Sequence, residues 1–298
     1  MTIGGTPRNG VRTCLVCATL LLAVSLAGCK RQPAEPEEAE QKPAANQDDA
    51  HRTDPKVEAR LHQRFAEAAH QDPPPDWQRF PDKTMAGKSV GKLYEDVVRI
   101  WDSIRFLTSD GKPIVYTASL ETDQGTIEIT LQSDLAPNHV RNFVALAQVG
   151  YYDGLVFERA IHEQLNDDNF LDLIEAGCPL GTGKVGYGSI GYWLKPEFNA
   201  QALHEEGTVG AFHGIEADTA ACKFYITLCK APILDGNYTV FGKVTQGLDT
   251  ARKIFQQPVR RDDDDPELDS RFLKPVIIHR VMIHTKVDKS GSGGENKD

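Results

Sequence analysis

Apolar and polar positions change their rhythm four times along this chain. An unbroken apolar run from Cys14 to Leu26 comes first, and at about 13 residues it is too short to cross ~30 Å of hydrocarbon as a helix. Residues 30–56 follow, rich in Pro, Glu, Ala, Gln and Asp, with no apolar side chain larger than Ala apart from proline. Such a segment cannot bury enough surface to offset its chain entropy, and is expected to be a disordered spacer. A helical rhythm then begins. Val57, Leu61 and Phe65 recur at i, i+4 and i+8 until Pro73-Pro74-Pro75 stops them. Leu93, Val97, Ile100, Trp101 and Ile104 form a second stripe, expected to dock on the domain that follows. From Tyr116 the period is two. Tyr116, Ala118 and Leu120 alternate with polar residues, Asp123-Gln124-Gly125 turns the chain, and Ile127, Ile129 and Leu131 alternate again, predicting a hairpin. Pro137 opens a helix over 138–149, and short strands are predicted at 155–161, 173–176, 208–212, 224–228, 239–244 and 276–285. About eight short strands with few helices predict a mainly β, closed antiparallel barrel.

Composition refines this picture at the N-terminus. Arg8 and Arg12 precede the apolar run, which ends in Leu26-Ala27-Gly28-Cys29. This series resembles the bacterial lipobox, and implies a signal peptide over 1–28 with Cys29 acylated as the mature N-terminus. The protein would then be exported and lipid-anchored to a membrane facing the periplasm, without spanning it. The net charge of −10 becomes −12 once the two arginines leave with the signal. An acidic chain lacks the field that binds phosphate backbones, so no nucleic-acid partner is expected. The expected organisation is a signal at 1–28, a linker at 29–56, a helical extension at 57–112, the barrel domain at 113–286 and a disordered tail at 287–298.

Four strings within the barrel region carry a family resemblance. Thr122-Asp-Gln-Gly125-Thr-Ile-Glu-Ile-Thr-Leu131 and Ala136-Pro137-Asn-His-Val-Arg-Asn142-Phe143 resemble the first hairpin and first helix of cyclophilins, the cyclosporin-type peptidyl-prolyl isomerases. Gly150-Tyr-Tyr-Asp-Gly154-Leu-Val-Phe157-Glu-Arg159 is similar to the strand that delivers their catalytic arginine. Leu234-Asp235-Gly236-Asn-Tyr-Thr-Val-Phe241-Gly242-Lys-Val244 is similar to the loop and strand beside their proline pocket. The resemblance implies an eight-stranded barrel capped by helices that acts on X–Pro bonds, as a monomer, with proline-containing peptides as partners and without cofactor or metal. The chemistry is modest. Rotation about the X–Pro bond breaks amide resonance, and a fixed donor to the pyramidal nitrogen of the twisted amide lowers that barrier. The resemblance assigns that donor to Arg159.

It also assigns Leu173, Glu175, Phe212, Lys223, Tyr225, Leu234 and Tyr238 to the substrate pocket, with departures. Glu175 and Lys223 stand where the family has two neighbouring glutamines, and Asp172 replaces a phenylalanine whose space Phe170 could fill. The segment between Arg159 and Glu175 is about eight residues longer than usual. At Ala211-Phe212-His213-Gly214 the family's peptide-gripping pair is replaced and one residue is inserted. An opposite-charge pair can stand in for an amide pair across strands. Glu175 could equally draw Arg159 into an ion pair, so the alternative is a catalytically degenerate peptide-binding or scaffold module.

Three other constellations compete for a role. Met85-Ala86-Gly87-Lys88-Ser89 lacks the leading glycine of a nucleotide loop, where Asp82 stands. Gly181-Thr-Gly183-Lys-Val-Gly186 matches a dinucleotide string but does not follow a strand of a βαβ unit. His204, His213, Glu205 and Glu206 lack metal-ligand spacing. After processing, Cys178, Cys222 and Cys229 remain. Cys222 and Cys229 lie at opposite ends of one predicted strand, roughly 20 Å apart, and cannot pair. The cyclophilin arrangement brings Cys178 beside Cys222, implying a disulfide between them, with three buried thiols as the alternative.

Overall fold

The computed structural model describes residues 57, 59–73, 80–166, 169–184, 188–261 and 269–288. The signal, Cys29, the spacer and the tail from residue 289 lie outside the described residues. Residues 53–298 form one compact unit. Its elements are α1 (Phe65–Ala68), β1 (Ala69–His70), α2 (Val90–Trp101), β2 (Ile114–Thr122), β3 (Gly125–Leu131), α3 (Pro137–Gln148), β4 (Val156–Gln164) and β5 (Phe170–Ala176). They continue with β6 (Trp193–Leu194), β7 (Thr208–Ala211), β8 (Phe224–Thr227), β9 (Val240–Gln246), α4 (Leu248–Phe255) and β10 (Arg271–Val287).

Eight of the strands close an antiparallel barrel in the order β10-β2-β3-β9-β7-β8-β5-β4, as the alternating pattern predicts. The long β10 pairs with β2 through Ile278–Val287 and with β4 through Val276 and Ile277, which completes the ring. Ala160, Ile174, Ile226 and Val209 lie opposite one another on four successive strands and fill the interior. Every second residue therefore faces outward, and the row beside them carries the site. Helix α3 packs Phe143 against Tyr152, Phe224 and Phe241. Its N-terminal N–H groups lack a local cap, and Glu197 supplies one from a distant loop, accepting from the backbone of Asn138 and His139. Helix α4 was not expected. Its short amphipathic stripe buries only Ala251 and Ile254.

The extension is wrapped onto the barrel, but it is less helical than predicted. The second stripe forms α2, capped by the Ser89 hydroxyl and burying Leu93, Val97 and Trp101. The first forms only the four-residue α1, preceded by turns. The cause is visible in the acceptors. The Gln63 carbonyl takes the Trp101 indole N–H at 3.1 Å and the Leu61 carbonyl takes the Arg141 guanidinium, so neither serves a helical ladder. β1 then pairs with β6, and the Phe65 ring packs edge-on to Trp101 and Tyr192. Arg141 is the hub of this docking, donating also to Ile104 O and Asn138 Oδ1 under the rings of Trp101 and Phe106. Arg141→Met is expected to cost about 2 kcal/mol by orphaning these carbonyls. The segment before Val90 should also become the first site of limited proteolysis, and unchanged cleavage would refute this docking role.

Candidate active site

The register of the barrel builds the site in one row. Arg159 of β4 lies opposite Glu175 of β5, Glu175 opposite Tyr225 of β8, and Tyr225 opposite Gly210 of β7. Directly opposed residues share a face, so Arg159, Glu175 and Tyr225 all point away from the core. Leu173 sits one step along, opposite Ile161 and Thr227. Lys223, just before β8, reaches back to Glu175 with Nζ–Oε2 at 3.2 Å.

The result is a buried cluster of four ionisable side chains, Arg159, Glu175, Lys223 and Glu158. Arg159 Nη1 lies 3.7 Å from Glu175 Oε2, and Lys223 Nζ lies 4.0 Å from Glu158 Oε1. Glu158 reaches this face because it is the extra residue of a β-bulge between Phe157 and Arg159. Its Oε1 accepts the Cys178 N–H, while Oε2 has no partner among the described residues. Desolvation pushes the Glu158 carboxyl up to about 7, Lys223 pulling against it. Burial also pushes Glu175 upward, but Lys223 and Arg159 beside it prevail and hold its carboxyl below the ordinary value. Lys223 is further held by the Gly183 carbonyl at 3.3 Å and by the Phe212 ring, 3.8 Å from Nζ to its centroid. Arg159 is 3 % exposed, and its Nε–H has no acceptor among the described residues. A buried charged donor without a partner is costly.

Aromatic residues form the other side. Tyr225 carries Tyr238 edge-on at 5.9 Å, and Tyr238 stacks on His213 at 4.2 Å. Leu234 is buried on the turn between them. The loop carrying Leu234 and Tyr238 is tied to the floor by His204, which the sequence offered only as a weak metal candidate. Its backbone N–H and Nδ1–H donate to Asp235 Oδ1 at 2.8 and 2.9 Å, leaving Nε2 to accept the Tyr225 hydroxyl at 2.8 Å. Desolvation lowers the pKa of His204 against the opposing pull of Asp235, which favours the neutral ring this arrangement needs. The other members of that candidate group are dispersed, Glu205 to Lys230, Glu206 to Arg252 and His213 to Tyr238.

Two expectations need correction. Phe170 does not fill the space left by Asp172. The longer segment instead extends β4 and β5 as a hairpin, where Phe170 is 38 % exposed and stacks on His162, while Asp172 accepts from His162 Nδ1. Cys178 and Cys222 are adjacent in the fold but stand as two thiols, without a disulfide. Their sulfurs face different partners, Cys178 the Thr182 hydroxyl at 3.6 Å and Cys222 the Tyr151 hydroxyl, and burial pushes the Cys222 thiol up to about 12.

Comparison with known proteins agrees with this geometry. The family profile described as "Cyclophilin type peptidyl-prolyl cis-trans isomerase/CLD" matches residues 117–283. The Gallus gallus protein "Peptidyl-prolyl cis-trans isomerase-like 3" is 36 % identical over 161 residues, covering 54 % of this chain and 94 % of the relative. A Neurospora crassa "Peptidyl-prolyl cis-trans isomerase-like 1" is 31 % identical over 160 residues, covering 54 % and 93 %. "Peptidyl-prolyl cis-trans isomerase ppi1" of Schizosaccharomyces pombe is 32 % identical over 160 residues, covering 53 % and 97 %. With its barrel, its outward-facing arginine row and these relatives, the chain belongs to the cyclophilin-type peptidyl-prolyl cis-trans isomerases.

Proposed function

We propose that this protein isomerises X–Pro bonds in exported polypeptides from a membrane tether, the acylated Cys29. The observation that carries the catalytic part is the Nε–H of Arg159, which has no partner among the described residues and stands at the end of the row that runs through Glu175 to Tyr225. A twisted prolyl amide presents a pyramidal nitrogen that accepts such a donor, whereas the planar ground state does not, so the contact favours the transition state selectively. Tyr225, Leu234 and Tyr238 supply the apolar enclosure for the ring, and Lys223 occupies Glu175, which limits its hold on Arg159. The 3.7 Å approach of Glu175 to Arg159 supports a second reading, peptide capture without turnover.

A proline-peptide isomerisation assay separates the two. Arg159→Ala is expected to lower kcat/KM by about 10²-fold. Wild-type activity indistinguishable from the variant would leave only the binding reading. The tether has its own test. Labelled palmitate should enter the wild-type protein and not Cys29→Ser, and equal labelling would remove the lipid anchor from the proposal.

A further inference from the structure

The two glycine strings that resemble nucleotide loops are brought against each other, next to Arg159. The turn at 84–87 in the extension donates the Met85 N–H to the Pro179 carbonyl at 2.7 Å. The Met85 thioether lies over Gly181, so close that a Cβ there would sit 2.5 Å from Sδ, and Gly181 has φ +62°. Two residues on, Gly183, with φ +67°, lies over the methylenes of Arg159, where a Cβ would be 2.6 Å from Cδ. The Gly183 carbonyl accepts from Lys223, the partner of Glu175. The contacts form one chain from Met85 through Gly181 and Gly183 to the Arg159 side chain. The same turn grips the other approach to Arg159. Lys88 Nζ donates to the carbonyls of Gly150 and Asp153, the latter at 2.7 Å, in the turn that leads into β4, and Ala86 packs on Gly154.

We propose that Met85 is a positioning residue for isomerisation. From the extension it presses the Pro179–Gly183 loop onto Arg159 and fixes the direction of the Nε–H. The proposal rests on the isomerase reading for its kinetic part only. Because the donor acts on the twisted amide and not on the bound ground state, displacing it lowers kcat while leaving KM in place. A small misplacement of a positioned group is enough to cost an order of magnitude. Met85 is 46 % exposed, so shortening it removes the contact with Gly181 without opening the core.

The test uses the full chain with Met85→Ala and, as the conservative variant, Met85→Leu, which retains a long apolar side chain. Prolyl isomerisation is measured alongside solvent exchange of the Arg159 Nε–H by NMR, its signal assigned through its loss in Arg159→Lys. Met85→Ala should lower kcat about tenfold at unchanged KM and raise Nε–H exchange about tenfold, and Met85→Leu should restore both. Unchanged exchange in Met85→Ala overturns the proposal, whatever the rate does. A rise in KM at constant kcat also overturns it, since Met85 would then shape binding. If the wild type does not isomerise, the isomerase reading fails, and the exchange measurement still decides whether Met85 fixes the guanidinium.

Discussion

Lys223→Met is expected to destabilise the protein by about 3–5 kcal/mol at neutral pH, the usual cost of leaving a buried charge without its partner. Lys223 lies within 4.0 Å of both carboxylates, at 3.2 Å from Glu175 and 4.0 Å from Glu158. Methionine fills much of the volume and lies under Phe212, so lost packing contributes little. What remains is two buried carboxylates sharing Arg159. One of them must take up a proton, so the deficit should shrink towards pH 5. Adding Glu175→Gln to Lys223→Met should recover a large part of it by restoring a neutral partner. Urea unfolding at pH 5 and 8 measures both effects. A loss below about 1 kcal/mol, or one independent of pH, would show that the cluster is not electrostatically coupled.

Glu158 makes the second large effect a matter of pH. Its folded carboxyl titrates at about 7 against an ordinary value of 4.5, so the fold prefers it protonated. The stabilisation associated with that preference is complete below about 4.5 and is lost as pH rises through about 7. A shift of this size corresponds to a few kcal/mol, on the order of 3. Glu158→Gln keeps the acceptor for the Cys178 N–H and removes the titration. Its stability relative to wild type should therefore rise between pH 4.5 and 7.5 by that amount. Parallel pH profiles for the two proteins would refute the assignment. Glu175 has the opposite sign, its stabilising charge being lost only as pH falls below its ordinary range.

These predictions depend on features unequally legible in the sequence. The barrel was legible because period-two alternation is a local signal, and β2, β3 and β8 appear within two residues of where it placed them. The stripe through Leu93, Val97 and Trp101 was legible for the same reason. The short α1 was not, because the fate of the Leu61 and Gln63 carbonyls was decided by Arg141 and Trp101, far away in the chain. Arg159, Glu175 and Lys223 could be placed by resemblance, but not their mutual distances. Glu158 gave no signal at all. A glutamate between two strand residues reads as solvated, and only the bulge turns it into the cluster. His204 was visible as a histidine but not as the tie between Tyr225 and Asp235, since 21 and 31 positions separate these partners.

The closing role of β10 makes the barrel depend on its last strand. The strand is last in chain order, yet it is the hydrogen-bonded neighbour of both the first barrel strand, β2, and of β4. Without the stretch from Val276 to Val287 the barrel has two open strand edges, and β4, which bears Arg159, is one of them. Such edges are templates for pairing with another chain. Closure of the barrel thus waits for its final strand, and a chain shortened before Val276 is expected to expose β4 as the surface on which it would aggregate.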